Sequence, residues 1–398
     1  MKILYHHRTA SKDGQAVHIE EMVHALRQRG HEVRVVAPAA AREHGMGGTV
    51  GWVQRLRQAL PKAVYELLEL AYSWVAYRRL AQAAREFQPD VLYERYNLFL
   101  LAGVLLRRRT GIPLLLEVNA PLADERRQFG GLGLPAMADW AERLAWRSAD
   151  VVLPVTAVLA DHVRDRGVPD SRIEVVPNGI NLALFQAGQG ANATRRALGW
   201  HADDIVLGFT GFVRDWHGVD KVVRWMAGGT APARARLLMV GDGPARAHLE
   251  SLAGQLKLGD RVHFTGVVDR SAVPALVAAF DIALQPAVVP YASPLKLFEY
   301  LALGKAIVAP ARPNLLEVLE DGDNALLFDD ARPGALEQAL ERLCGDEALR
   351  ARLGAGAQAT IQRRQLTWDG NAQRVGVLAA GLLRQAGVVP TRRGVERP

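Results

Sequence analysis

Ser293-Pro294-Leu295-Lys296-Leu297-Phe298-Glu299-Tyr300-Leu301-Ala302-Leu303-Gly304 reads as one short helix with both ends marked. Ser293 is an N-cap type, Pro294 suits a first turn that needs no N–H, and Gly304 can take the left-handed position that ends a helix. Leu295, Phe298 and Leu301 form its apolar stripe. Lys296 stands out, because it falls in the first turn, at the positive end of the helix dipole. A cation there is disfavoured by up to about 1 kcal/mol unless an anion is bound nearby. Glu299 lies one turn on, on the same face. A helix N-terminus with a lysine suits a diphosphate, and a carboxylate one turn away suits the two hydroxyls of a ribose. A surface helix carrying an ordinary Lys/Glu pair fits the stretch equally well, so its neighbours decide.

Those neighbours are strands. Ile282–Gln285 leads into the helix through Pro286 and Pro290, and Ala306–Ala309 follows it, which is a βαβ unit. The pattern repeats upstream. Ile205–Thr210 ends in Gly211-Phe212-Val213-Arg214, Leu237–Val240 in Gly241-Asp242-Gly243-Pro244, and Val262–Thr265 in Gly266-Val267-Val268. Ala325–Phe328 completes the set. Strands that end in glycine let a phosphate and a base approach the backbone closely. The first half has its own series. Ile3–Tyr5, a helix over about 17–29 fed by Gly14, and Val33–Ala37 form a βαβ unit without a G-x-G-x-x-G fingerprint. His18, in the first turn of that helix, reads as a partly buried structural histidine or a ligand contact. The strands ending at Glu94-Arg95 and at Glu117-Val118-Asn119 place polar residues at carboxyl ends, where open parallel sheets bind ligands. Glu94, Arg95, Glu117 and Asn119 are the candidates there, and the loop 124–133 beside them is of the kind that orders on a substrate.

The expected fold is therefore α/β: two Rossmann-like doubly wound domains facing each other across a cleft. The expected boundaries are 1–184, a first domain; 185–204, a Gly/Ala/Gln-rich linker; 205–368, a second domain that carries the Lys296 helix; 369–387, a last helix; and 388–398, a tail.

Composition agrees with a globular chain of two domains. The 398 residues are 49% hydrophobic and 23% charged. The formal charge of +7 is spread over both halves, so no basic arm for nucleic acid is expected, and the excess suits anionic substrates or an anionic membrane surface. Only seven of the 49 basic residues are lysines, which makes Lys296 a more informative choice. Cys344 is the single cysteine, which excludes a disulfide framework and a thiolate metal cluster. Met1-Lys2-Ile3-Leu4-Tyr5 opens directly into a strand rather than a signal-peptide core, and no run of about 18 apolar residues exists. A cytoplasmic location is expected, with peripheral contact at the inner face of the plasma membrane. That contact would come from Trp52–Phe87, where Trp52, Leu56, Leu60, Val64, Leu67, Leu68, Ala71 and Trp74 make an apolar stripe among arginines. Covering a parallel sheet also needs such helices, and packing of the stripe on the domain's own sheet is the simpler expectation.

With these residues assembled, the chain resembles the glycosyltransferase family 4 enzymes of GT-B fold from Met1 to about residue 383. The likeness rests on Gly14 with Arg29-Gly30-His31-Glu32-Val33, on Val176-Pro177-Asn178-Gly179-Ile180-Asn181, on Gly211 through Gly218, on Val240 through Pro244, and on the block around Glu299. It implies a retaining, metal-independent hexosyltransferase without a cofactor. Such an enzyme moves a sugar from a nucleotide diphosphate sugar, UDP-linked first and GDP-mannose next, to a glycan or lipid-linked acceptor in cell-surface polysaccharide assembly. Glu299 keeps the family's ribose-holding glutamate, while its partner eight residues upstream is replaced by Tyr291. The family's arginine and lysine for the pyrophosphate fall on Phe212 and His217, so Arg214 and Lys296 are expected to carry the phosphate charge and His217 a second contact. Gly14, Gly243, Val268, Ser293 and Leu295 complete the expected donor contacts. A catalytic-cleft histidine of the family is Asn119 here, which can hold a hydroxyl but carries no proton. Asp321-Gly322-Asp323 imitates a metal-binding D-x-D and reads as a turn; no metal is expected. Two other functions fit the same features: a sugar-nucleotide epimerase, which needs paired acid and base groups, and a two-lobed binder without catalysis.

Overall fold

The computed structural model describes residues 1–9, 14–38, 59–186, 190–385 and 387. They form two units, Met1–Pro177 with the chain from Trp368 onward, and Asn178–Thr367.

The first unit is built on five parallel strands, β1 (Lys2–His6), β2 (Glu32–Val36), β3 (Val91–Arg95), β4 (Leu114–Val118) and β5 (Val151–Pro154), in the order β2-β1-β3-β4-β5. Helices cover both faces, so β3 and β4 are buried along their whole length and read as near-continuous apolar runs. The helix Trp368–Gln385 belongs to this unit. It lies on the helix Gly14–Gln28, with the Trp368 ring edge-on to His18 at 4.8 Å. Arg29 holds Asp369 through two nitrogens at 2.6 and 2.8 Å.

The second unit has six parallel strands, β6 (Ile205–Thr210), β7 (Ala235–Val240), β8 (Val262–Phe264), β9 (Ile282–Leu284), β10 (Ala306–Pro310) and β11 (Ala325–Phe328), in the order β11-β10-β9-β6-β7-β8. The order reverses between β6 and β9, as it does between β1 and β3 in the first unit. Open sheets of this type bind ligands past the carboxyl ends of the strands at such a reversal. Next to this reversal, on the other side of β6, the tips of β6 and β7 meet so closely that glycine is required. A Cβ on Gly243, whose φ is 154°, would lie 2.1 Å from the Val213 carbonyl oxygen.

The expected linker 185–204 is not a free connection. Its described part contains the helix Ala191–Ala197, with Thr194 Oγ1 donating to the Ala275 carbonyl at 3.2 Å and Arg195 paired with Asp281 at 2.8 Å. A composition rich in Gly, Ala and Gln marked a junction, but these longer-range polar contacts order it.

The helix Lys62–Phe87 packs on β1 and β2, but not through the expected stripe. Its inward residues are Glu66, Glu69, Ser73, Ala76, Leu80, Ala84 and Phe87, while Val64, Leu67, Leu68 and Trp74 of the expected stripe are exposed. Trp52 and Leu56 lie outside the described residues. No described helix is long and apolar enough to cross a membrane.

Candidate functional site

The segment between β9 and the following helix contains Pro286, Pro290 and Pro294 and cannot continue a ladder, so side-chain amides satisfy its carbonyls instead. Gln285 donates to the Ala287 carbonyl at 2.6 Å, and Asn314 donates to those of Val289 and Ala292 at 3.2 and 2.7 Å. Asn178 donates to the Ser293 carbonyl at 2.5 Å. The helix itself runs Leu295–Ala302, with Pro294 at the N-cap position and no side-chain cap. Ser293 is therefore not the cap its residue type suggests; its backbone is held from a distant loop, and it sits one residue too early. Gly304, with φ of 61°, ends the helix as read.

Tyr300 ties this helix to the strand reversal. Its hydroxyl accepts the Thr210 N–H at 3.0 Å and faces the Leu284 carbonyl at 3.5 Å, joining the ends of β6 and β9. One turn earlier, Lys296 is buried, and its Nζ lies 3.6 Å from the centroid of the Phe209 ring. Burial lowers the ammonium to a pKa of about 7, opposed only in part by Glu299. The half-buried Glu299 is raised to about 7, also by burial, against the pull of Arg270 and Lys296. The half-buried Arg270 follows the β8 tip, and its charge acts on Glu299; its residue type and place in the sequence do not single it out.

His217 is buried beside them. Burial first, then the Lys296 and Arg214 charges, push it down to about 2, so the ring is neutral. Its Nδ1 accepts the Arg214 backbone N–H at 3.0 Å, which leaves the proton on Nε2. Trp216 lies against the ring at 4.0 Å and Phe209 at 5.1 Å. The Arg214 guanidinium is exposed and rests over Phe212 at 5.1 Å. Lys296, Glu299 and His217 are thus brought together, with Arg214 at the margin. Val268 packs on the apolar cluster that includes Leu297 and Phe298, Leu295 and Ser293 are half-buried at the helix entrance, and Gly243 is held against Val213. What converges is a buried amine, a fixed neutral N–H donor and a carboxylate, a set that can receive an anion and a diol.

In the first unit the reversal between β1 and β3 holds a second cluster. His6 Nδ1 and Glu94 Oε2 are 2.5 Å apart. Glu117 accepts from His18 at 2.8 Å, Tyr93 at 2.7 Å, Asn119 at 2.5 Å, and Arg95. Burial alone would raise the Glu117 carboxyl, but His18, Arg95 and Tyr93 outweigh it and hold it well below the usual carboxylate range. Glu94, Arg95 and Glu117, expected to face an acceptor, are all buried. A charged residue at a strand end satisfies itself inward when donors converge, and here the network orients the half-buried Asn119 from below. His18 belongs to this network as well as to the contact with Trp368. Gly14 is the exposed first residue of its helix, and residues 10–13 before it lie outside the described ones. Among the described residues no cluster of His, Cys, Asp or Glu could hold a metal ion.

Comparison with known proteins bears on both units. The family model described as Glycosyltransferase Family 4 matches residues 12–184, and the one described as Glycosyl transferases group 1 matches residues 191–360. The chain is 28% identical to a D-inositol 3-phosphate glycosyltransferase of Thermomonospora curvata, over 94% of each sequence. It is 27% identical to the alpha-D-kanosaminyltransferase of Streptomyces kanamyceticus over 64% of this chain and 67% of that one. Among solved structures, sucrose-phosphate synthase from Thermosynechococcus elongatus superposes with a TM-score of 0.78 at 20% identity, covering 97% of this chain and all of that one. Anabaena HepE, solved in complex with UDP and glucose, gives 0.75 at 20% identity over 96% of this chain and all of that one. The chain is a glycosyltransferase of the GT-B fold, related to family 4 and to the group 1 glycosyl transferases, which transfers a sugar from a nucleotide-sugar donor to an acceptor.

Proposed function

We propose that the donor is a UDP-linked hexose, held by the Asn178–Thr367 unit, and that the sugar is passed with retained configuration to a hydroxyl of a glycan or lipid-linked acceptor. One observation carries this reading: Lys296 is a buried amine in a first helical turn, with no carboxylate of the described residues within salt-bridge distance. A diphosphate beside it would satisfy the lysine and the helix N-terminus together. The Nε2–H of His217 supplies a neutral hydrogen bond to the same anion, and Glu299, steadied by Arg270, takes the ribose hydroxyls. The likeness to HepE, solved with UDP and glucose, supports the choice of UDP.

In the reaction the bond from the sugar's anomeric carbon to the diphosphate oxygen breaks. The bond to the acceptor oxygen forms on the same face, and the departing diphosphate takes the acceptor's proton. No protein base is needed, which suits an asparagine at 119. The protein's part is electrostatic: charge on the leaving diphosphate grows beside Lys296, Arg214 and His217. Incubation with UDP-sugars and an acceptor panel, with UDP release and anomeric configuration followed by NMR, tests this. Release of UDP with the configuration retained is expected. An isomerised nucleotide sugar would point to an epimerase, and binding without turnover to a non-catalytic binder; either overturns the proposal.

A further inference from the structure

The helix Lys62–Phe87 packs on β1 and β2 through Ala76, Leu80, Ala84 and Phe87, but its first turns are polar inward and apolar outward. Its inward side is partly polar, and every inward polar group has a partner. Glu66 accepts the backbone N–H groups of Gly133 and Leu134 at 2.8 and 2.7 Å, Glu69 pairs with Arg126 and with Arg8 at 3.2 Å, and Ser73 bonds the Phe99 carbonyl at 2.5 Å. Its outward side is apolar over the first turns. Val64, Leu67, Leu68, Trp74 and Val75 are five of the thirteen large exposed hydrophobic residues among the described ones, with Trp74 58% and Leu67 51% exposed. At 100° per residue, Val64, Leu67, Leu68, Ala71, Trp74 and Val75 fall on one side. Farther along, that same side turns basic, carrying Arg78, Arg79 and Arg85, and its acidic member Glu86 is already engaged by Arg34 at 3.2 Å and Gln82 at 3.0 Å.

We propose that this face seats on an anionic lipid surface, with Trp74, Leu67 and Leu68 in the headgroup–acyl boundary and Arg78, Arg79 and Arg85 on lipid phosphates. A row of apolar side chains this dense is costly to leave in water, and monomeric proteins seldom do so without a partner. The adjoining arginines select the partner's charge, because a bilayer rich in acidic lipids attracts basic side chains and takes up aromatic and aliphatic ones at the same depth. A second copy of this chain would bring the same basic side to the contact, whose one carboxylate, Glu86, is already engaged. The inward polar residues fix the helix by hydrogen bonds and leave its apolar side for the bilayer. This inference stands apart from the donor site, so its failure would leave the UDP-sugar reading intact.

Sedimentation with vesicles tests it. The full chain is spun with vesicles of phosphatidylcholine alone and of phosphatidylcholine with phosphatidylglycerol, at low and high salt. The wild type should pellet with the acidic vesicles and be released by salt, because the arginine contribution is screened. Arg78→Glu with Arg79→Glu should lower the partition about 30-fold or more, at the contribution typical of two basic side chains near an acidic leaflet. Leu67→Ser with Trp74→Ser should lower it as well, and both variants should melt within about 0.5 kcal/mol of the wild type because they change only exposed positions. Equal pelleting of wild type and variants, or no pelleting of the wild type with acidic vesicles, overturns the proposal. A wild-type dimer in solution that the Leu67/Trp74 variant converts to monomer also overturns it, by assigning the face to a second copy.

Discussion

Lys296 and Glu299 concentrate the argument at the scale of single residues. They lie one turn apart on the same face, and both titrate near neutrality for the same reason, burial acting in opposite directions on a base and an acid. The folded Lys296 holds its proton less tightly than the unfolded chain does, so the unfolded state binds more protons between about pH 7 and the ordinary lysine value of 10.5. Stability from this site therefore rises with pH across that window, and the cost of burying the charge is fully present below it. Lys296→Met should melt higher than the wild type at acid pH, by about 1–3 kcal/mol, with the gap closing towards alkaline pH. A structural lysine would show a loss instead. The same variant should lower kcat by about 10²–10³, the effect of one lost donor to a growing negative charge. Glu299→Gln should act on binding, raising KM by the ~1.5–3 kcal/mol of a charged hydrogen bond and leaving kcat close to normal, because the ribose is remote from the breaking bond. Steady-state constants for the two variants separate these roles.

At the scale of elements, the helix Leu295–Ala302 is placed by hydrogen bonds that reach across the sheet, and Tyr300 is the central one. Tyr300→Phe leaves the buried Thr210 N–H without its acceptor, which should cost about 1–3 kcal/mol in denaturant unfolding. A loss below about 0.5 kcal/mol would mean that the tie between β6 and β9 is incidental. Gly243→Ala forces a methyl group against the Val213 carbonyl at a backbone angle that disfavours side chains; a loss above about 2 kcal/mol is expected in the same assay. These elements also show what a sequence carries and what it does not. Strands and glycine tips were legible because burial of both faces leaves continuous apolar runs, and Gly304 because left-handed backbone needs glycine. The Ser293 cap was misjudged because the contact that fixes its backbone comes from Asn178, far away in the sequence. The helix Lys62–Phe87 was misjudged because periodicity finds the stripe but does not say which side faces the sheet. Here Glu66, Glu69 and Ser73 face inward, each meeting a donor or acceptor from another segment. Glu94, Arg95 and Glu117 were correctly placed at strand ends, but their burial depended on His6, His18 and Tyr93 arriving from other elements.

For the whole molecule, each of the two units carries a chemically distinct group of residues at its own strand reversal. The second unit offers a buried amine and an acceptor for hydroxyls. The first offers a self-satisfied carboxylate network that holds Asn119, with no described metal cluster. A ligand that binds only the folded chain adds about 2.7 kcal/mol of stability at 100 times its Kd, so UDP should raise the melting point clearly. The most direct test is calorimetric titration of UDP into the wild type and Lys296→Met, at about pH 8, in two buffers that differ in ionisation heat. In the free wild type most Lys296 side chains are neutral at that pH, and a bound diphosphate restores the charge. The wild type should take up about one proton per UDP bound, and Lys296→Met should bind weakly without proton uptake. Equal affinities with no proton uptake in either protein would contradict the placing of the diphosphate beside Lys296.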